Sequence, residues 1–579
     1  MGVRSRGSNP KRPRAATVSV GDGDGNGGGG GDVDLISSLN DDLILRILDL
    51  VPEAENVVRT HALSRRWRGL WTGVAALRFD FDSRRKLCRS DAAAERYIAF
   101  VNGALALRAT AAKEPAFVED LAISFDIDKL SEQLVPLSVE AAQGWIRYAV
   151  QHAVKSLIFK LTLPWRPFVE RPVMTLDERD SYADTEIMHL KLAGAELWLP
   201  SSTVVFSSLT DLSLVDIVVP AGGGHLLSRI LSSACCPRLH KFWLQRVLWT
   251  TEELLLIESD TLLELSLKAI FKLQFLELRT PSLRALCVEN CFDLDLFMVS
   301  APRLENLIAM CSAKRPFRRI DVHCHLSSVE TLKIQLFSRG GTETGYNEDV
   351  NDGSIHLLQC CRSTRCLEVS FKVSEAKYNT VDIIKGRILL LPHVTHLAVY
   401  IELWERHSTG PGVACLLAQC SNIKYLSLQL RYIITKENRS ELDFLCDNNS
   451  CHWKSREFLL AHLQEVEFKK LMGTDCEFQF IQSILTKATG IQKAYPRTSS
   501  DAMNELTCET LSVASYTCGR VWCIFRICGP VLRWCARHPV SLARRRDPTM
   551  AAAVQPHGRL QRRERARGRE LRRQALAGG

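Results

Sequence analysis

Apolar residues recur along most of the chain in one unit, apolar-x-x-apolar-x-apolar. It begins at Val118, Val154, Ile187, Leu209, Leu239, Leu262, Leu283, Leu304, Val329, Thr364, Val394, Ile423 and Leu463, with Thr364 the poorest match. The alternation that closes each unit predicts a short strand with one face turned inward. The tightest run, Leu262, Leu283, Leu304 and Val329, is spaced by 21, 21 and 25 residues. Three of the leucine-opened units follow a proline two residues ahead: Pro237, Pro281 and Pro302. Intervals elsewhere reach 40 residues and predict insertions, one of them the acidic, glycine-containing stretch from Gly340 to Gly353.

Ahead of the repeats, residues 35–80 carry a helical period instead. Leu39, Leu43, Ile47, Leu50 and Val51 fall on one helix face. Asp41 and Asp42 suit the positive end of that helix, and Pro52 stops it. A second short helix is expected to carry Val57, Val58 and Ala62. A third, capped by Ser64, is expected to carry Trp67, Leu70 and Trp71. Three helices in so short a block cannot enclose a core around these groups. Part of their apolar surface is therefore expected to be covered by a partner or by the next domain.

Repeats of about 20–29 residues with Leu-x-x-Leu-x-Leu are the signature of leucine-rich repeats. Each repeat supplies one strand, the strands stack in parallel on a concave face, and the return segments cover the leucines. The expected fold class is α/β: a small helical block at 35–80, then a leucine-rich-repeat solenoid over 81–449. Because the leucines are core, binding is expected at outward strand positions such as Ser266, Cys287 and Lys333.

The stretch from Asp34 to Asp80 resembles an F-box of the form found in plant F-box proteins. The resemblance is carried above all by Leu63-Ser64-Arg65-Arg66-Trp67-Arg68-Gly69-Leu70-Trp71, after Val57-Val58-Arg59-Thr60. Where that family usually opens its first helix with Leu-Pro, this chain has Leu39-Asn40. Asn is a good helix cap, so the helix is expected to persist while the proline's contact with a partner is lost. A second stretch, residues 450–495, resembles the FBD module that follows leucine-rich repeats in many plant F-box proteins. It is carried by Cys451, Trp453, Leu463-Gln464-Glu465-Val466-Glu467-Phe468, Gly473, Glu477, Phe480 and Ile484 to Ala488. After Ala494, Tyr495-Pro496-Arg497-Thr498 replaces the expected final strand, which predicts a truncated module.

The F-box resemblance implies a substrate receptor of an SCF-type cullin-RING ubiquitin ligase. The face formed by Leu39, Asn40, Leu43, Ile47, Leu48, Val58, Leu63 and Trp67 would dock on a Skp-type adaptor, and through it meet cullin and RING subunits. The repeats would hold a target protein. The rival is a repeat scaffold that binds proteins without assembling a ligase. No nucleophile–base pair or phosphate-binding loop stands out, so a catalytic role is not expected, nor is a cofactor.

Composition and charge refine this. No apolar run is long enough for a membrane-spanning helix, and the first residues lack the apolar core of a signal peptide. Twenty cysteines in such a chain predict reduced thiols, and a nuclear or cytoplasmic setting is expected. The net charge of +9 is concentrated at the C-terminus: residues 520–579 hold fifteen Arg against three acidic residues. Residues 1–34 contribute +1, which leaves the body from 35 to 519 at −4. That sign argues against nucleic acid as the main partner. Lys11-Arg12-Pro13-Arg14 is compatible with a nuclear import signal. Glycine-rich residues 1–34 and the Cys- and Arg-rich residues 496–579 are expected to lack a packed fold.

Three other patterns mimic chemistry. Asp22 to Gly27 resembles the start of a calcium loop, but its twelfth position is Val33. His323-Cys324-His325 lacks a second ligand cluster, and Cys518, Cys523, Cys528 and Cys535 lack the paired spacing of a zinc ribbon.

Overall fold

The computed structural model describes residues 36, 38–111, 119–164, 171–176, 183–200, 205–311, 317, 319–338, 351–373, 390–404, 410–433, 458–471, 475–498, 514–518, 521–528 and 531–537. The calcium-like loop, the N-terminal basic stretch, Val118, Cys451, Trp453, Gly473 and the arginines from Arg544 onward lie outside them.

Two helices open the described chain: α1 (Asp41–Asp49) and α2 (Ala54–Arg59). Strand β1 (Ala76–Asp82) leads to helix α3 (Asp91–Ala111), β2 (Asp120–Asp126), helix α4 (Val135–Gln151) and β3 (Ser156–Thr162). A run of strands follows: β4 (Val173–Thr175), β5 (Ile187–Ala193), β6 (Glu196–Trp198), β7 (Asp211–Val215) and β8 (Val218–Val219). Helix α5 (Gly223–Ile230) precedes two long strands, β9 (Lys241–Glu258) and β10 (Glu264–Arg279). Then come β11 (Ala285–Glu289), β12 (Leu296–Ser300), β13 (Asn306–Met310), β14 (Arg319–Val322) and β15 (Thr331–Ser338). The last described elements of this run are α6 (Asp352–Cys360), β16 (Cys366–Val373), β17 (His396–Trp404), α7 (Gly410–Gln419), β18 (Tyr425–Ile433), β19 (Glu465–Leu471), α8 (Asp475–Lys487) and β20 (Lys493–Thr498).

One parallel ladder runs β1-β2-β3-β5-β7-β9-β10-β11-β13-β15-β16-β17-β18-β19-β20. Its register stacks the inward apolar positions into columns. One reads Leu77, Leu121, Leu157, Met188, Leu212, Phe242, Leu265, Leu286, Leu307, Leu332, Leu367, Leu397, Leu426 and Val466, all buried. The expected solenoid is therefore present, with leucine-rich strands as its continuous face.

The register also corrects three expectations. Val74, Leu77 and Phe79 form a unit two strands before the first described one predicted, so the sheet begins inside the block assigned to helices. Ile187 does not start a unit: Met188 and Leu190 fill the inward columns, so the buried opening position is Thr185, and Ile187 is exposed. Threonine also opens the unit at Thr364, where its hydroxyl donates to the Val329 carbonyl at 3.3 Å. Buried Thr fits this place because that bond satisfies it. Finally, the FBD-like segment is not cut short after Ala494. Lys493–Thr498 pairs in parallel with β19, and Pro496 is accommodated in a strand at the end of the ladder, where a missing N–H is tolerated.

A second, shorter ladder covers the middle coils. It runs β4-β6-β8, continues through the C-terminal halves of β9 and β10, and ends β12-β14. At the corner between the two ladders four residues hold positive φ: Asp216 (55°), Arg246 (52°), Ala269 (54°) and Asn290 (56°). Each directly follows one of the paired residues Val215, Gln245, Lys268 and Glu289, so the corners stack. Left-handed backbone turns the chain from one ladder into the next. Asp and Asn tolerate it well, Ala less so. Elsewhere, among the described residues, α3, α4, α6, α7 and α8 supply helical return paths. At the early end, Trp145 on α4 donates to Asn102 on α3 at 2.7 Å, and Tyr97, Phe125 and Trp145 interlock as aromatic neighbours.

Beyond β20, the backbone over Ala514–Cys518, Val521–Cys528 and Val531–Arg537 forms an antiparallel three-stranded sheet. The expectation of a tail without regular structure from 496 is corrected for this part.

The stacked corner makes a stability prediction. Ala269→Gly relieves a left-handed residue that costs about 1 kcal/mol, and part of that gain offsets the added freedom of the unfolded chain. Its thermal midpoint, read at one scan rate, is expected to rise slightly. Ala269→Val, β-branched at the same φ, is expected to lower it.

Candidate docking face on the N-terminal helices

Helix α1 begins as its sequence dictates. Asn40 sits in extended backbone (φ −72°, ψ 162°) and its Oδ1 accepts from the Leu43 amide at 2.9 Å. Arg66 closes the same end: Nη2 reaches Asp41 Oδ1 at 2.7 Å and also donates to the Leu39 carbonyl. The arginine of the Leu63–Trp71 motif thus holds the first turn in place. The third expected helix is instead a 3-10 turn over Leu70–Gly73, entered from Gly69 at φ 98°, a conformation that favours glycine. Ser64 Oγ still accepts from the Trp67 amide, at 3.4 Å.

Helix α1 has two apolar faces. Ile44 and Leu48 point into the protein, at 0% and 2% exposure, and join a core that includes Ala54, Val57, Trp71 and Val74. Leu43 and Ile47 point outward, 45% and 47% exposed, with Leu50 beyond them. Of the residues the sequence placed on a docking face, Asn40, Leu43, Ile47 and Leu63 are exposed. Leu39, Val58 and Trp67 are half-buried against the core and still reach the surface. Leu48 is a correction: it is a core residue. A period of 3.6 puts Leu48 only about 100° from Ile47, which is enough to carry it round to the inner face. Leu50 is the outward residue of this stripe that the site assignment omitted. Its spacing from Leu43 and Ile47 was the available signal.

The helical block is fixed to the solenoid. Asp49, the last residue of α1, accepts from the backbone amides of Ala75 at 2.8 Å and Ala76 at 3.4 Å, where β1 begins. Nearby, Arg108 is buried with its guanidinium nitrogens lacking hydrogen-bond partners among the described residues. Burial pushes its pKa down from the usual arginine value.

The concave face carries the second surface feature. Ser266, Cys287 and Lys333 occupy one outward row of the ladder, each half-buried. Lys333 is paired with Glu368 at 2.6 Å, and Lys268 with Glu289 at 3.4 Å. Nearer the helical block the same row holds Ile158, His189, Ser213 and Trp243. There the surface dips into a hollow of about 320 Å³. These residues escaped the sequence reading because outward positions follow no pattern.

Five buried thiols are held in their protonated form. Burial pushes Cys236, Cys291, Cys361 and Cys420 up to about 12 and Cys311 to about 11. Cys324 is turned inward, its sulfur 3.2 Å from the Ala301 amide, while His323 and His325 on either side are exposed.

Comparison with known proteins agrees with this architecture. Residues 180–339 match the family profile described as "FBD-associated F-box protein At5g56370, LRR repeats". Those residues include most of the double-ladder coils. A protein of Arabidopsis thaliana named as an FBD-associated F-box protein, At5g50270, is 30% identical over 276 residues, covering 48% of this chain and 57% of the relative. Another so named, At5g56390, is 25% identical over 473 residues, 80% of this chain and 91% of the relative. The F-box/FBD/LRR-repeat protein At5g56420, from the same plant, is 28% identical over 234 residues, covering 40% and 49%. The chain thus spans a little over half of the first relative and nearly all of the second. With the F-box-like motif, the stacked leucine-rich strands and the FBD-like last coils all on one chain, this protein is similar to the plant F-box/leucine-rich-repeat/FBD family.

Proposed function

We propose that the chain is the substrate-recognition subunit of an SCF-type cullin-RING ubiquitin ligase. The observation that carries this reading is the outward stripe of Leu43, Ile47 and Leu50 along α1, with Leu63 of the following motif also exposed. The stripe lies on a helix whose other face already supplies the core. A clustered apolar surface of that kind on a fixed helix suits a protein partner. A Skp-type adaptor is the partner that the F-box resemblance implies, with cullin and RING subunits beyond it. The repeats hold the target on their concave face.

In this role the chain makes and breaks no bond. It raises the effective concentration of a target near the conjugating enzyme, and the attachment of α1 to β1 through Asp49 fixes the direction in which the target is presented. Nucleus or cytoplasm is the compartment proposed.

The two faces of α1 separate binding from folding. Leu43→Ala with Ile47→Ala removes surface that only a partner covers. Adaptor affinity is expected to fall by about 2–3 kcal/mol, on the order of a hundredfold, with little change in thermal midpoint. Titration of purified adaptor onto each form measures this, and undiminished affinity in the double variant refutes the docking assignment. Leu48→Ala, by contrast, opens the core and is expected to cost about 2–5 kcal/mol of stability.

A further inference from the structure

The hollow on the concave face differs from the rest of the ladder. Its floor is set by Ile158, Ile187 and Trp243, outward residues on three coils that leave 38%, 40% and 43% of their surfaces to solvent. Large apolar groups at the centre of an outward row bury nothing of their own coil, so they add nothing to the core that would explain them. A partly exposed Trp in a concavity is the group that most often anchors a partner segment.

The charges around this floor point to the partner's chemistry. Lys160 and Lys241 line the hollow, and Lys191 stands beside it. Among the described residues Lys160 has no ion pair, and Lys241 has only a long one, 3.7 Å to Glu264. Lys191 is 3.5 Å from Asp216, but Arg246 chelates that carboxylate. One carboxylate, Asp211, lines the rim, and its Oδ2 accepts from the Thr210 hydroxyl at 2.7 Å. Burial, then Lys160 and Lys191, hold the His189 imidazole below the usual histidine range, so it is largely neutral at pH 7 and the positive charge here is that of the lysines. Further along the face the cations are matched: Lys268 by Glu289 and Lys333 by Glu368. The hollow is thus a locally cationic place on a body whose net charge is −4.

We infer that this hollow seats a short acidic segment of the target protein, one large apolar side chain entering beside Trp243 while flanking carboxylates meet Lys160 and Lys241. The volume suits one or two side chains rather than a folded surface. Opposite charge on the segment improves encounter and register, and the apolar anchor supplies the affinity. A single-stranded nucleic acid offers negative charge and a ring for Trp243 as well. The acidic body disfavours it, because phosphate tracking needs a continuous cationic path.

This deepens the receptor reading and depends on it only for calling the bound segment a target. The test uses the full chain in complex with the adaptor and a random dodecapeptide phage library. Selected peptides are expected to hold Asp or Glu around one aromatic or large aliphatic residue. Repeating the selection on Lys160→Glu is expected to remove the acidic preference, and Trp243→Ala the apolar one. Synthetic peptides from the first pool are expected to bind either variant at least about tenfold more weakly, the usual scale of a hot-spot loss. Retained adaptor binding and unchanged circular dichroism show that both variants are folded. Selection without acidic residues, selection unaffected by either change, or no enrichment overturns the inference. So does labelled oligo-uridine binding that depends on Lys160 and Trp243 when peptides do not. If the chain fails to bind the adaptor, the same selection is run on the chain alone. The expected peptides would then uphold the hollow while the ligase reading falls.

Discussion

Everything in this protein leans on in-register parallel pairing. A single coil exposes a row of backbone amides and carbonyls and a line of leucines, and it satisfies neither alone. The neighbouring coil satisfies both at once, because the register that forms the hydrogen bonds also places Leu265 on Leu286 and Leu286 on Leu307. A slip of one residue would send every inward side chain to solvent. The fold is therefore specified by the repeat of its phase more than by any one contact. The units opened by Thr185 and Thr364 survive because their phase is kept even where the apolar residue is not.

What varies is how each coil returns. Among the described residues, α3, α4, α6, α7 and α8 return the chain toward the two ends, and in the middle a second strand does so, with α5 added before β9. The change requires a tight corner, and the chain makes it with positive φ at four stacked positions. Two of these support one another. Arg246 chelates Asp216 from the next coil, so a strained corner also carries a charged pair between coils. Where the second ladder ends at β14, α6 takes over. Gly353 permits this closely: a Cβ there would lie 2.9 Å from Ile320 Cγ1. Asn351 adds two hydrogen bonds to the backbone of Phe337, at 2.8 and 2.9 Å, as the chain enters the helix.

The sequence was most legible where one pattern repeats. From Leu209 to Leu463, every unit opening that was read in the sequence is buried in the structure. It was least legible where two patterns overlap or one is short. Val74-Leu77-Phe79 was hidden because it follows helical spacing without a break, so the start of the sheet was missed. The phase error at Ile187 arose because Met188 and Ile187 are both apolar and either can open the count. Leu48 was placed outward because a helix with apolar residues on two faces shows a broad stripe, and the stripe does not say which edge is core. The cationic hollow was invisible for a different reason. Ile158 and Lys160 lie far from Trp243 in sequence and share the hollow with it only across strands, and no periodic rule selects outward residues. Arg66 was read as motif; its bonds to Asp41 and the Leu39 carbonyl give the motif a mechanical reason.

The bond from Asp49 to the start of β1 has a consequence for distance. Strands in a ladder lie about 4.8 Å apart, so a sheet of this many coils extends on the order of 65 Å from that joint. Any swing at the joint is magnified in proportion to the distance from it: each degree moves the far end by roughly 1 Å on that span. Trp243 lies only five strands out, roughly 24 Å along, so the same swing moves it less than half as far. Under the proposed receptor role, a segment seated near the pivot would be aimed steadily even as the long arm beyond it flexes, and the outer coils would be free to bend without spoiling the aim.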